Sequence, residues 1–445
     1  EPDKIIAAKK SSPLIVGLGK GENFVASDIP ALLSHTRDVI VMEDGEMAVV
    51  TRDGVKFTDF AGKPIQRTPR NISWSSAVAE KEGYKHFMLK EIHEQPRGLA
   101  DTLRSRIVES MQEVNLDEVG LTAEEIQKIR RVVFVACGTS WHAALVGKFW
   151  MESVARIPSD VDLASEFRYR NPVVDDGALC IPISQSGETA DTLAALEEAK
   201  KLGGRSLAIC NVVESSIARK SDHVLYTHAG PEIGVASTKA FTTQLASLAM
   251  LALFLAQKRG TIGKKEIQEK LHALVELPRL VEEALAQDAK ISKIAAAFMH
   301  ARDFLYLGRG VSFPIALEGA LKLKEISYVH AEGYAGGEIK HGPIALIDEN
   351  MPVLALATGG PTYAKMFSNI EEVLARGAKV IAVVTKGDER LKKHAAALIE
   401  IPQTDDFVRP VVETIPLQLF AYHLADHRGT DVDQPRNLAK SVTVE

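Results

Sequence analysis

A strand-turn-helix pattern that occurs twice constrains this chain more than any other feature. Arg131-Val-Val-Phe-Val-Ala-Cys-Gly-Thr-Ser140 is a β-branched run that breaks at Gly138 into a long helical pattern. Asp303-Phe-Leu-Tyr-Leu-Gly-Arg-Gly-Val-Ser312 breaks in the same way at Gly308 and Gly310, before a helical pattern over 315–326. In each half a second apolar run follows, 178–183 or 351–357, ending in a small polar turn and a helix; a third comes next, 206–210 or 380–384. Runs that are apolar throughout must be covered on both faces, and their alternation with helices makes the sheets parallel. The chain is therefore expected to be α/β, with two duplicated doubly wound parallel-sheet domains at 121–260 and 290–435. Ligands of such sheets sit beyond the carboxyl ends of the strands, at the switch point. The turns at Gly138, at 184–189 and at 308–310 all fall there.

The first part of the chain has a different character. Short β-like segments at 14–18, 39–42, 47–51 and 54–58 are punctuated by Gly-Lys-Gly, Glu-Asp-Gly, Arg-Asp-Gly and Ala-Gly-Lys-Pro turns. That is the pattern of antiparallel sheet, and 1–78 is expected to form a unit of its own with little core. The polar stretch 71–83 reads as a linker, 79–120 as linker and helical lead-in, and 436–445 as a C-terminal tail. With 445 residues and a net charge of -6, the chain has room for two or three domains and no basic patch for nucleic acid. The apolar stretch 242–255 is expected to be too short to cross a bilayer, and no membrane association is expected. Cys137, Cys180 and Cys210 lack the spacing of a zinc site or a disulfide framework, so a reduced, cytoplasmic protein is expected. The opening Glu-Pro-Asp-Lys has no signal-peptide pattern, and its lack of an initiator Met suggests a fragment or a processed chain.

Chemistry concentrates first at Ser184-Gln-Ser-Gly-Glu-Thr-Ala-Asp-Thr192, between the second apolar run and the helical spacing of 193–202. Free amides of a helix's first turn and the positive end of its dipole make an anion cradle. Ser184, Ser186 and Thr189 can add three hydroxyl donors, which suits a dianionic phosphate. A plain helix cap needs one such residue. No lysine follows the glycine in the manner of a nucleotide P-loop.

Several long motifs then occur in order: Cys137-Gly-Thr-Ser140, Ser184-Gln-Ser-Gly-Glu-Thr189, Glu232-Ile-Gly-Val-Ala-Ser-Thr-Lys239, Ala316-Leu-Glu-Gly-Ala-Leu-Lys-Leu-Lys-Glu325, Glu338-Ile-Lys-His-Gly-Pro343 and Asp433-Gln-Pro-Arg-Asn-Leu-Ala-Lys440. Together they resemble the glucosamine-6-phosphate synthase family along nearly the whole chain. The resemblance implies two sugar-isomerase (SIS) domains behind an N-terminal-nucleophile glutaminase domain, of which 1–78 is an antiparallel β remnant. Because no cysteine precedes Cys137, glutaminase activity is not expected of this chain.

The resemblance further implies conversion of fructose 6-phosphate, with glutamine or ammonia as amino donor, to glucosamine 6-phosphate, the first step of amino-sugar biosynthesis, without cofactor or metal. Glu325, three residues beyond Lys322 on one helical face, is implied as the base for C1/C2 proton transfer, a task for a partly desolvated carboxylate. His341, of suitable titration range, is implied to move the ring-oxygen proton from the neighbouring subunit of a homodimer. Lys440 is implied to form an imine with the open-chain sugar. Phosphate contacts are assigned to Ser184, Gln185, Ser186 and Thr189. Sugar contacts are assigned to the Gly138 and Ser140 turn, Cys137, Thr139, Lys322 and the backbone of Val235. Taken by themselves, Lys322 and Glu325 read as a surface ion pair, His341 as an exposed loop residue and Lys440 as a solubilising terminal lysine. Two other readings stay open: a non-catalytic phosphosugar-binding regulator, and a fructosamine 6-phosphate deglycase on the same scaffold.

Overall fold

The structure is a computed structural model and describes residues 3–10, 13–27, 29–32, 35–72, 81–108 and 110–443. It divides into two units, one of Glu1–Gly83 with Glu188–Asp191 and Ser441–Glu445, the other of Tyr84–Gly187 with Thr192–Lys440. The stretch 71–83, expected as a linker, falls mostly on 73–80, outside the described residues.

In the first unit, strands pair into two antiparallel sheets. One has the order β1 (Lys4–Lys9), β5 (Glu46–Thr51), β6 (Gly54–Asp59), β7 (Pro64–Ile65); the other has β3 (Asn23–Ala26), β2 (Ile15–Leu18), β4 (Asp38–Val41), β8 (Arg70–Asn71). The Arg-Asp-Gly turn closes the tight β5–β6 hairpin, with Thr51 opposite Gly54. Val16, Ile40, Met42, Ala48, Val50 and Phe57 supply most of a small core.

In the second unit the duplication is explicit. A parallel sheet of order β10 (Ser159–Leu163), β9 (Arg131–Ala136), β11 (Ala178–Ser184), β12 (Arg205–Cys210), β13 (His223–Tyr226) is followed by another of order β15 (His330–Ala335), β14 (Asp303–Gly308), β16 (Pro352–Ala357), β17 (Lys379–Thr385), β18 (Ala397–Ile401). Strand pleat sends alternate side chains to opposite faces. On β9, Val132, Phe134 and Ala136 enter the main core, while Val133 and Val135 meet Phe167, Ala195 and Ala199 behind the sheet. On β14, Phe304 and Tyr306 take the main core, and Leu305 and Leu307 take a second cluster with Met366 and Ile370. Both faces of each sheet are thus covered, which is why the central strands read as unbroken apolar runs. The strands absent from the sequence reading of this unit, β10, β13, β15 and β18, are the four sheet edges. Two of them, β10 (Ser-Asp-Val-Asp-Leu) and β15 (His-Ala-Glu-Gly-Tyr-Ala), carry polar residues that break the apolar run, while β13 and β18 are short.

The main core is continuous across both halves, because the Gly138–Trp150 helix of the first packs on the Ser312–Ser327 helix of the second. Behind them lies the Lys239–Arg259 helix. Its 21 residues are long and apolar enough to cross a membrane, so the expectation that this segment is too short fails on length. The window is 94% buried within the protein, and its apolarity is accounted for by packing. Leu248 of this helix fills the notch over Gly147, where a Cβ would meet Leu248 Cδ2 at 2.9 Å.

Leu248→Ala is expected to open a cavity there and to lower stability by about 2–5 kcal/mol, seen as a fall in thermal midpoint by scanning fluorimetry. Val275→Ala, on an exposed helix face, should change stability by less than about 0.5 kcal/mol.

Candidate functional site

The chain reverses its direction of winding between β9 and β11, which lie side by side in register, Pro182 opposite Val135. Their carboxyl ends therefore present Cys137 to Ser140 beside Ser184 to Ser186 at one switch point. Two glycines make the turns possible. Gly138 has φ +52° and Gly187 has φ +67°, both in the left-handed region. A Cβ at Gly187 would also collide with Ser215 Oγ at 1.9 Å and Cys210 Sγ at 2.8 Å. Ser184 is buried, and its Oγ accepts a hydrogen bond from the Gly187 amide at 3.0 Å. Gln185 and Ser186 are half-buried, with the Gln185 carbonyl accepting from Asn211. Thr189 falls in Glu188–Asp191, which groups with the first unit. The neighbouring helix-start amide of Ala190 is not free as the sequence suggests; it donates to the Val442 carbonyl at 3.1 Å.

The helix that begins at Gly138 meets a buried charge network on the Ser312–Ser327 helix. Lys322 is fully buried. Its Nζ donates to Thr139 Oγ1 at 3.0 Å and lies 3.4 Å from Glu318 Oε1 and 2.5 Å from Glu325 Oε2. Thr139 in turn donates to Glu318 Oε1 at 3.0 Å, and His142 Nδ1 is hydrogen-bonded to Glu318 Oε2 at 2.7 Å. Burial pulls the ammonium's pKa down, but Glu318 and then Glu325 outweigh it, and the net movement is upward. Lys322 is thus a fixed cation. Glu325 is half-buried beside it, so one end of the network is a carboxylate open to a bound molecule. Ser140 accepts from Gln244 Nε2 at 3.0 Å, and Thr192 Oγ1 donates weakly to Cys137 Sγ at 3.8 Å.

A second network holds Lys440. Its Nζ donates to Glu232 Oε2 at 2.5 Å and to the Gly234 carbonyl at 2.7 Å, which puts the ammonium one residue from Val235. Burial acts to raise the Glu232 pKa, yet Lys440 outweighs it and the carboxyl ends below its ordinary range. Glu232 also contributes to the field at Lys322, so the two networks share one electrostatic neighbourhood. His341 stands apart. It is exposed on the Glu338–His341 turn, and among the described residues no hydrogen bond or ion pair joins it to the groups above.

The second half has its own switch point between β14 and β16, and there the chain fills the cradle itself. Glu413, fully buried, accepts at Oε1 from Ser312 Oγ at 2.9 Å and from Thr358 Oγ1, with Arg409 Nε 3.5 Å away. A carboxylate of the protein occupies two hydroxyls, Ser312 at the place of Ser140 in the first half and Thr358 at the place of Gln185. Of the three turns expected at strand ends, those at Gly138 and at 308–310 are therefore not equivalent: Arg309 Nη1 is spent on Asn369.

Glu232, Glu318, His142 and Glu413 were not singled out by sequence. Glu318 had a signal, since Glu318, Lys322 and Glu325 share one face of an otherwise apolar helix. Glu232 opens the quoted motif Glu232–Lys239, but nothing there pointed to its partner Lys440 far off in the chain, and Glu413 had no signal at all. One spacing common to metal sites also occurs, His423 and His427 four apart, but their Nε2 atoms meet Asp288 and Ser292.

Comparison with known proteins gives a consistent result. The SIS domain family model matches residues 125–254 and 297–428. Glutamine–fructose-6-phosphate aminotransferase [isomerizing] of Clostridium tetani is 52% identical over the whole of this chain, which spans 73% of that protein. The Thermus thermophilus protein of the same name is 53% identical, again over the whole chain and 73% of its own length. The C-terminal domain of glucosamine-fructose-6-phosphate aminotransferase from Francisella tularensis superposes with a TM-score of 0.76 at 46% identity, covering 80% of this chain and 100% of that one.

Glu318→Ala should leave Lys322 with one carboxylate and strip Thr139 and His142 of an acceptor. Breaking such a buried pair costs about 3–5 kcal/mol, so a large fall in thermal midpoint is expected. A variant as stable as wild type would contradict this account of the network.

Proposed function

Because the chain belongs to the SIS domain family, and within it to the glutamine–fructose-6-phosphate aminotransferases, we propose the following assignment of that reaction to its residues. The enzyme converts fructose 6-phosphate and an amino donor to glucosamine 6-phosphate, and the 121–435 region carries the ketose–aldose isomerisation. The phosphate is held at the turn opened by Ser184, Gln185 and Ser186. The sugar lies along Cys137, Gly138, Thr139 and Ser140, with Lys322 fixing a hydroxyl and the Val235 backbone another.

The observation that carries this reading is Lys440, a tail lysine folded back onto a buried carboxylate. A solubilising terminal lysine has no reason to be so held. Lys440 must first lose its proton to solvent, leaving an amine still placed beside the Gly234 carbonyl. The amine nitrogen adds to C2 of the open-chain ketose and water leaves, giving an imine. Ammonia then displaces Lys440, so nitrogen remains on C2 and the lysine is regenerated. Glu325 removes a proton from C1 and C2 is protonated, while the C1 hydroxyl gives up its proton to become the aldehyde and the imine nitrogen gains one to become the amine; one hydrogen has moved from C1 to C2 and one from oxygen to nitrogen. Glu325 suits this because one of its oxygens rests on Lys322 at 2.5 Å while its side chain stays partly exposed. Ring opening falls to His341 acting on the site of a second copy, since in its own chain it makes no contact with these groups. The three free cysteines fit a reducing cytoplasm.

Borohydride reduction with fructose 6-phosphate should add one sugar phosphate at Lys440, read by peptide mass spectrometry. Lys440→Arg should abolish the adduct but leave sugar-phosphate affinity nearly unchanged. A wild-type protein that forms no adduct and makes no glucosamine 6-phosphate from an ammonium salt would instead be a phosphosugar-binding regulator.

Ser186→Ala should weaken sugar-phosphate binding by about 1.5–3 kcal/mol in a calorimetric titration. Mixing inactive His341→Ala and Glu325→Gln proteins should restore activity through hybrid dimers; none returning after verified subunit exchange rules out a shared site.

A further inference from the structure

We infer that Glu91 is a positioning residue for Lys440, pinning the 232–234 segment on which the ammonium rests and setting a second carboxylate beneath it. The inference rests on the imine-forming role proposed for that lysine.

Glu91 is almost wholly buried on the Phe87–His93 helix. Its Oε1 accepts from the Ile233 amide and, at 3.2 Å, from the Gly234 amide. Its Oε2 is buried with no hydrogen-bond partner, and it would lie 2.9 Å from a Cβ at Gly234. The peptide segment is thus gripped from both sides: Glu91 holds its amides, while Glu232 and the Gly234 carbonyl receive Lys440. The same helix also holds the root of the tail. Asp433 accepts from the Phe87 and Met88 amides, each at 3.0 Å, and its carbonyl accepts from Val235 at 3.1 Å. One short helix therefore fixes both the seat of the ammonium and the start of the chain that delivers it.

The charges leave this arrangement a job beyond packing. From the helix side come Lys90, Glu91 and Glu94; from the 232–240 segment Glu232 and Lys239; from the tail Asp433 and Lys440; from the Ser312–Ser327 helix Lys322. Lys239 and Lys90 lie 2.6 Å and 3.6 Å from Glu94, and Lys322 is held by Glu318 and Glu325. Lys440 is then the cation facing Glu232 and Glu91 together. Burial, followed by repulsion from Glu232, pushes the Glu91 carboxyl up to about 7, with Lys440 and Lys239 acting in the opposite direction. The sign follows directly: an ionised Glu91 favours the ammonium, and removing its charge favours the free amine.

The test needs no sugar. In the full chain, trace acetic anhydride labelling across pH, read lysine by lysine by mass spectrometry, gives the midpoint at which Lys440 becomes a free amine. Glu91→Gln keeps an acceptor for the two amides and removes the charge; it should lower that midpoint by about half a pH unit or more, with exposed Lys265 unchanged. Asp433→Asn should loosen the tail and speed Lys440 labelling several-fold at every pH. If Glu91→Gln does not fold, as judged by circular dichroism, Glu91→Asp should keep the midpoint but speed labelling, since charge stays and the amide bonds go. An unchanged midpoint in Glu91→Gln, or wild-type behaviour throughout in Glu91→Asp, overturns the inference. Failure of the wild type to form the borohydride adduct would strike the imine role instead, and labelling reads Glu91 independently of it.

Discussion

A buried ammonium must be paired, because removing one partner leaves a charge that the protein interior solvates poorly. Lys322 imposes that condition on the second unit. It sits at the junction of the two parallel-sheet halves and is satisfied by carboxylates of its own helix and by a hydroxyl from the first half, Thr139. The Gly138–Trp150 helix thereby has to start where it does, beside the Ser312–Ser327 helix. The same condition orders the candidate site, since Glu318 is used to hold Thr139 and His142, while Glu325 and Thr139 stay half-buried at its edge.

The duplication is one of fold and not of chemistry. Both halves end their β-branched strands in glycine turns opening onto helices, and both gather hydroxyls there. In the second half Glu413 takes those hydroxyls and Arg409 lies alongside. Burial pushes the Glu413 carboxyl upward against the pull of Arg409, whereas in the first half the hydroxyl matching Ser312, Ser140, receives the neutral amide of buried Gln244. An anion arriving there would face an acidic group in a cradle already spent. Sequence similarity between the two halves therefore does not imply two equal sites.

The tail is held by the same economy of charge. Asp433 closes the open amides at the start of the Phe87–His93 helix, a tertiary version of an N-cap, and Lys440 returns to Glu232 seven residues later in the chain. Backbone groups of 233–235 take up the rest through Glu91 and the Asp433 carbonyl. None of these partners is near in sequence, and each contact would be worth little if exposed. Burial is what makes them count.

The division between sequence and structure follows from this. Local pattern alone determined the α/β class, the central strands β9, β11, β12, β14, β16 and β17, the antiparallel character of the first part, and the turns at Gly138 and Gly187, because unbroken apolar runs and left-handed glycines leave their mark within a few residues. Motif resemblance supplied Lys322, Glu325, His341 and Lys440. Pattern missed the edge strands, and it judged the apolar stretch 242–255 too short because the helix runs on into Lys239 at one end and Gln257-Lys-Arg259 at the other. The tertiary structure decided the rest: that Lys440 rests on Glu232, that Glu318 and His142 complete the Lys322 network, that Glu413 closes the second cradle, and that Glu91 lies under the lysine's seat. Those are meetings of charges brought together from distant segments. Whether a carboxylate is a solvated surface group or a buried partner depends on what surrounds it, and only the folded chain sets that.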